Sequence, residues 1–334
     1  MLYYTASGII QSSGTRAASG VEGVILTVTL NAAVDKTFTI PGFAVDRVHR
    51  PSRWRIVAGG KGINVARVFH ILGGEAVATG FLGGHNGKLI LRSLQQEGIP
   101  AEFVPIAEEA RECIAIIDPE NGTQTEVNEI GPNVRPAEVK RFLRRYEELV
   151  KTHQFRWLVL SGSVPPGVPT DIYAALIATA KANNVDPVLD TSGAALSTGM
   201  EAAPWMVKPN IHELEAWCGR NLSSIKEVLE AVESARAKGV DVLAVTLGAH
   251  GAVLISGSGT WKANAPSVDF VSAVGSGDAF VGGFLWSMER HNDLARALQT
   301  GVAAGSANAA SFGAGFIECR EVERLAALVE VERL

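Results

Sequence analysis

Trp157-Leu158-Val159-Leu160-Ser161-Gly162-Ser163-Val164-Pro165-Pro166-Gly167 begins as an apolar strand and ends in a polar, Gly/Pro-rich turn. An amphipathic helix over 137–151 precedes it and another over 171–183 follows. Pro187-Val188-Leu189-Asp190 and Trp205-Met206-Val207-Lys208 repeat the theme of a short buried strand closing on polar residues. This alternation predicts an α/β fold with a doubly wound, mostly parallel sheet flanked by helices, whose ligands bind at the carboxyl ends of the strands. Upstream, Val24-Ile25-Leu26-Thr27-Val28-Thr29-Leu30 has the unbroken β-branched character of another buried parallel strand. Residues 1–23, rich in Ser, Gly and Ala, carry no sustained period and are expected to form a flexible leader; 24–334 form the domain.

Two further regions are shorter and alternating. Thr37 to Ile40 and Trp54 to Val57, and later 101–106, 113–118 and 123–127 around an Asn121-Gly122 turn, have the look of hairpin strands. They predict a small β-sheet lid, inserted at about 36–58 and 101–131, and a lid with an exposed apolar face predicts a homodimer through it.

Composition narrows the function. The 334 residues are 47% hydrophobic and 19% charged with a formal net charge of −5, and no apolar run is long enough to span a bilayer. Neither nucleic acid nor a membrane is an expected partner. Cys113, Cys218 and Cys319 are widely spaced without a metal-ligand pattern, which suits a reducing compartment, and a cytoplasmic location is expected.

Three clusters carry chemistry. Val274-Gly275-Ser276-Gly277-Asp278 opens a helix of small and apolar residues. The N–H groups of Gly275, Ser276 and Gly277 suit an anion such as a transferring phosphoryl group. Asp278 repels phosphate and is better suited to take a proton from an attacking hydroxyl; taken alone the motif favours a helix N-cap, and the rest of the chain must decide. Ala58-Gly59-Gly60-Lys61-Gly62-Ile63-Asn64 is a second glycine loop opening a helix, where Lys61 reinforces an anion site and Asn64 could hold a hydroxyl. An ordinary surface lysine is the alternative. Asn210 and Glu213, three apart, could hold magnesium directly or through water, or be a capping box. Asp35, just past the first strand, is placed either for sugar hydroxyls or for a turn, and Arg111 is a candidate second phosphate anchor. The turn from Thr246 through Gly248 to Gly251 suits a nucleotide, and Asn308 a contact to its base. Gly83-Gly84-His85-Asn86-Gly87-Lys88 imitates a P-loop, but its spacing is one short and no Ser or Thr follows the lysine.

In this order and spacing, Gly59-Gly60-Lys61-Gly62-Ile63-Asn64, Asn210-x-x-Glu213 and Gly275-Ser276-Gly277-Asp278 resemble the ribokinase-like PfkB sugar kinases. The run Thr29 to Thr37, Lys61, Thr125-Glu126 and Gly131-Pro132 resemble the branch acting on hexose phosphates, the 1-phosphofructokinases and tagatose-6-phosphate kinases. The resemblance implies a ribokinase-like domain with a β lid, ATP and Mg2+, and transfer to a sugar hydroxyl with Asp278 as base. It implies Asp35, Gly59, Gly60 and Asn64 on the sugar, and Lys61 and Arg111 on its phosphate. Asn210 and Glu213 would organise magnesium, and Lys208, Thr246, Gly248, Gly251 and Asn308 would face ATP. Ser272-Ala273 departs from the Asp-Thr of many members, which puts side-chain help from those positions in doubt. Fructose 1-phosphate is the expected acceptor, with tagatose 6-phosphate or fructose 6-phosphate as alternatives. A kinase of an unphosphorylated sugar and a non-catalytic sugar-phosphate sensor are the remaining readings.

Overall fold

The computed structural model describes residues 23–334, so the leader expected over 1–23 lies, apart from Gly23, outside the described residues. The chain runs β1 (Val24–Thr29), β2 (Ala33–Thr39), β3 (Arg53–Gly59), α1 (Lys61–Ile71), β4 (Ala76–Gly83), α2 (Gly84–Gln96), β5 (Ala101–Ile106), β6 (Arg111–Asp118) and β7 (Thr123–Asn128). It continues α3 (Pro136–Thr152), β8 (Phe155–Ser161), α4 (Ile172–Ala182), β9 (Asp186–Asp190), α5 (Gly193–Glu201), β10 (Met206–Val207), α6 (Ile211–Cys218) and α7 (Ile225–Arg236). The last part is β11 (Val242–Thr246), β12 (Ala252–Ser256), β13 (Gly259–Ala263), α8 (Ser276–His291), α9 (Leu294–Ala309), α10 (Cys319–Ala326) and β14 (Val331–Arg333).

A ten-stranded sheet has the order β14-β13-β12-β11-β10-β9-β8-β1-β4-β5. It is parallel from β5 to β11 and antiparallel from there to β14. Because side chains alternate across a strand, Ile25 of β1 joins the core under α1, α8, α9 and α10, while Leu26 and Val28 join the one under α3 to α7. Both faces are covered, which accounts for the buried runs Ile25 to Thr29 of β1 and Trp157 to Leu160 of β8.

The second sheet, β3-β2-β6-β7, is the lid. Register puts Lys36, Phe38, Trp54, Ile56, Ile114 and Val127 on one face and Asp35, Val57, Cys113 and Glu126 on the other. One expectation needs correction. Ala101–Ile106 is not a lid strand; it pairs in parallel with β4 at the edge of the large sheet. An edge strand is half-buried, and its alternating pattern is the one a lid strand would also show.

The stretch rich in Ala and Gly is the tightly packed α9. A Cβ on Gly283 of α8 would lie 2.6 Å from Ala304 Cβ, and one on Gly301 of α9 would lie 3.0 Å from the Phe280 ring. The two helices therefore meet backbone to backbone, and α9 holds α8, with Asp278 in its first turn, against the sheet.

Candidate active site

The strand ends β1, β9, β10 and β11, the loop before α1 and the start of α8 converge at one end of the sheet. Gly275 is the N-cap of α8 in a left-handed conformation (φ 82°), and a Cβ there would sit 2.7 Å from Ala314 Cβ and 2.9 Å from Ala314 Cα, so the turn requires glycine. The Ser276 N–H is taken by the Ala273 carbonyl (3.1 Å), whereas those of Gly277 and Asp278 have no acceptor among the described residues. Of the expected anion donors, Ser276 is thus spent on the turn and the Asp278 N–H joins Gly277. Asp278 itself is the third helical residue and caps nothing.

Asp278 is 5% exposed, and its Oδ2 accepts from Asn64 Nδ2 at 2.8 Å. Burial pushes its carboxyl up to about 6 against the pull of Lys61 and Lys208, with Asp190 adding to the rise. Lys61, first residue of α1, reaches Asp190 Oδ1 at 3.1 Å and Glu213 Oε1 at 3.6 Å. Burial opposes its charge, but Asp190, Asp278 and Glu213 together raise its pKa. Its side chain keeps 37% of its surface open, so a ligand can still reach it. Buried Lys208 stands 3.4 Å from Asp190 Oδ1, and a Cβ on Gly277 would lie 3.3 Å from its Nζ, so this lysine supports the helix start from beneath.

Asp190 was not among the expected site residues. It is fully buried at the end of β9; burial would raise its carboxyl, but Lys208 and Lys61 overcome that and hold it below the usual range. Its Oδ2 has no partner among the described residues. The signal in the sequence was a buried strand ending in an acid.

Asn210 and Glu213 form the capping box of α6, since Asn210 Oδ1 accepts from the Glu213 N–H and Glu213 Oε2 from the Asn210 N–H, both at 2.8 Å. Glu213 Oε1 remains toward Lys61, and a cavity of about 340 Å³ opens beside both residues between α5 and α6. Among the described residues no group of three or more His, Cys, Asp or Glu could by itself hold a metal. Asp190 Oδ2, without a partner among the described residues, and Glu213 Oε1, 3.6 Å from Lys61, are the carboxylate oxygens that would hold a hydrated Mg2+, an ion that keeps several waters and takes one or two carboxylates along with substrate phosphates.

Asp35 lies on the lid's inward face against Gly59, where a Cβ would fall 2.0 Å from its Cγ. Burial pushes it up to about 7, Arg67 and Arg111 opposing and Asp278 contributing. Gly60 has φ 107° and lies on Thr29 and Ala32. Arg111 donates to the backbone carbonyls of Asn31 (3.1 Å) and Glu129 (2.9 Å), which fixes it beside Asp35. Lys61 interacts most strongly with Asp190, Asp278 and Glu213, and Arg111 with Asp35, which itself feels the charge of Asp278.

Asn308 is another correction. It is 1% exposed, donates to Val274 O (2.8 Å) and Ser276 Oγ (3.1 Å), and accepts from the Gly315 N–H (2.7 Å), so it braces the turn instead of facing a base. Thr246 ends β11 and bridges to Asn210, and Gly248 is exposed. A Cβ on Gly251 would meet the Ala263 carbonyl at 1.9 Å, so this glycine serves packing against β13. The Ser272 hydroxyl accepts from the Val274 N–H (3.2 Å) and donates to Gln124 of β7 (2.8 Å), so this departure from the common pattern still braces the turn and ties it to the lid.

Residues 26–319 match the pfkB family of carbohydrate kinases. The chain belongs to this family. It is accordingly a phosphotransferase with an alcohol group as acceptor. The 1-phosphofructokinase of Rhodobacter capsulatus is 38% identical over 271 residues, covering 81% of this chain and 85% of that protein. Phosphofructokinase-2 from Escherichia coli, solved in complex with potassium, superposes with a TM-score of 0.84 at 28% identity over 92% of this pfkB-family chain and 99% of the other. A possible 1-phosphofructokinase from Thermotoga maritima gives 0.82 at 29% identity, over 93% and 99%.

Proposed function

We propose that this pfkB-family kinase transfers the γ-phosphoryl group of ATP to fructose 1-phosphate, with Asp278 as the general base. The observation that carries the reading is the buried Asp278 carboxylate at a helix start whose Gly277 and Asp278 N–H groups are free for an anion. The Rhodobacter relative's name supports the acceptor. Tagatose 6-phosphate and fructose 6-phosphate are the alternatives.

Asp278 takes the proton of the acceptor hydroxyl as that oxygen attacks, and the start of α8 stabilises the charge on the moving phosphoryl group. Lys61 and Arg111 do not share one phosphate in this reading. Lys61, between Asp278 and the two carboxylates, neutralises the transferring group, while Arg111, beside Asp35, takes the phosphate the sugar already carries. Asp35, Gly59 and Gly60 line the sugar side, and Asn64 holds Asp278 beside it. Asp190 and Glu213, with Asn210 orienting Glu213, would hold Mg2+ through water; bound there, the ion would neutralise phosphate oxygens of the nucleotide. Lys208 keeps Asp190 ionised, and Thr246 and Gly248 line the nucleotide side.

The apolar lid face, with Trp54 64%, Ile56 47% and Val127 57% exposed, supports a homodimer formed lid to lid. A cytoplasmic location accords with this reading; among the described residues, no helix is long and apolar enough to cross a membrane.

The test is ADP release with ATP and Mg2+ against fructose 1-phosphate, fructose 6-phosphate, tagatose 6-phosphate, free fructose and no sugar. Selective turnover of fructose 1-phosphate is expected. Turnover of free fructose alone would overturn the substrate class, and silence in protein that binds ATP would point to a sensor.

A further inference from the structure

Arg67 lies one turn after Asn64 on α1, is 1% exposed and uses all five of its N–H groups. Nε and one Nη2 hydrogen go to Glu97 (2.6 and 3.2 Å), the other Nη2 hydrogen to the Ala58 carbonyl of β3 (2.7 Å). Nη1 donates to Asn64 Oδ1 (2.8 Å) and to the Ala314 carbonyl (3.2 Å), and the guanidinium stacks on Phe316 at 4.6 Å.

A guanidinium only donates, so the Asn64 atom against it is the amide oxygen, and the one facing Asp278 is therefore the amide nitrogen. Asp278 Oδ2 is thereby committed as an acceptor, which leaves Oδ1 for the substrate's proton. The other Nη1 bond fixes Ala314, the residue on which Gly275 packs, and the next residue, Gly315, bonds to the Asn308 side chain that braces Val274 and Ser276. One buried cation thus anchors both the orientation of the base and the floor of the anion turn. A lysine, a point charge on a flexible stem, cannot occupy five acceptors at once.

We propose that Arg67 is a positioning residue for phosphoryl transfer, acting on Asp278 through Asn64 and on the Gly275 turn through Ala314. The proposal rests on the reading of Asp278 as the base. Arg67 touches neither substrate, so its replacement changes turnover and not affinity.

Arg67→Lys tests both arms and Asn64→Asp tests one, since an aspartate retains the bond to Arg67 but has no N–H for Asp278. With unfolding curves to establish that each variant is folded, Arg67→Lys should lower kcat about 10- to 100-fold, the scale of a misplaced catalytic group, with both KM values within about twofold of wild type. The acid limb of its kcat profile should move to higher pH, because the oriented N–H that favours the Asp278 carboxylate is lost; lysine keeps the positive charge that Arg67 sets against Asp35, and Lys61, Lys208 and Asp190 stay in place. Asn64→Asp should show the same fall in kcat, and it decides the question if Arg67→Lys fails to fold. An unshifted limb in both variants, with only the sugar KM raised in Asn64→Asp, would overturn the proposal and make Asn64 a sugar ligand on a structural arginine. Full activity of Asp278→Asn would instead overturn the base assignment itself, so the two failures are distinguishable.

Discussion

Replacing Asp278 by Asn should make the protein more stable while nearly abolishing turnover. The Asp278 carboxyl lies at about 6 in the folded protein against an ordinary 3.8, so the native state prefers the neutral acid. That preference is fully present below pH 4 and is lost as pH rises through about 6, where the buried group must ionise. The difference of about two units corresponds to ~3 kcal/mol at pH 8, and roughly half of it remains at pH 5. Asparagine has nearly the same shape, still accepts the Asn64 N–H and never ionises. Urea unfolding of wild type and Asp278→Asn at both pH values measures the gap. The variant should gain about 3 kcal/mol at pH 8 and about half of that at pH 5. The same substitution should lower kcat about 100- to 10,000-fold with both KM values retained. A variant no more stable than wild type at pH 8, or a gain independent of pH, would refute the claim that the fold holds this carboxylate at a cost.

In wild type, kcat should rise with pH through a midpoint near 6, because the base works ionised, and that limb should be absent in Asp278→Asn, where kcat/KM keeps only the titration of Asp35 near 7. Gly275→Ala forces a left-handed conformation on alanine and drives its Cβ against Ala314; unfolding should register a loss of about 1–3 kcal/mol and single-turnover kinetics a slower transfer. Lys61→Met should depress kcat with little change in the sugar-phosphate KM, and Arg111→Ala should do the reverse; the opposite pattern in steady-state kinetics would exchange the two phosphates. Trp54→Glu combined with Ile56→Lys places charges on the apolar lid face and should yield a monomer in sedimentation velocity.

The doubly wound sheet was legible because strands buried on both faces cannot hide their composition: β1 and β11 are nearly pure β-branched or aliphatic runs, and β8 carries Trp157-Leu158-Val159-Leu160, between helical periods. The partner of a half-buried strand is not written in its own residues, and β5 went to the wrong sheet for that reason. Within the site, the glycine loops announced themselves, since their backbone demands are local. Asp190 did not, because what marks it out is the approach of Lys61 and Lys208, residues 129 positions before and 18 after it, through folding alone. Asn308 failed in the opposite sense. A polar residue in a run of Ala and Gly invites a ligand contact, but burial at 1% leaves only protein to satisfy its amide. For Asn210 and Glu213 the two readings were compatible: each uses one oxygen for the cap, and Glu213 has another to spare.

The seam between α8 and α9 also bears on how such a protein can change. Gly283, Gly301 and Gly305 each lie where an added methyl would press on the facing helix at 2.6 to 3.1 Å, so a mutation there has almost nowhere to go. In the proposed reading the lid strands bear the acceptor on their inward face, and they lie outside the helix seam. Selection for a new acceptor would therefore find its material in residues 33–59 and 111–128, while the helix that carries the phosphoryl chemistry stays as inherited. On that reading the molecule keeps its reaction in the part that cannot drift and its choice of substrate in the part that can.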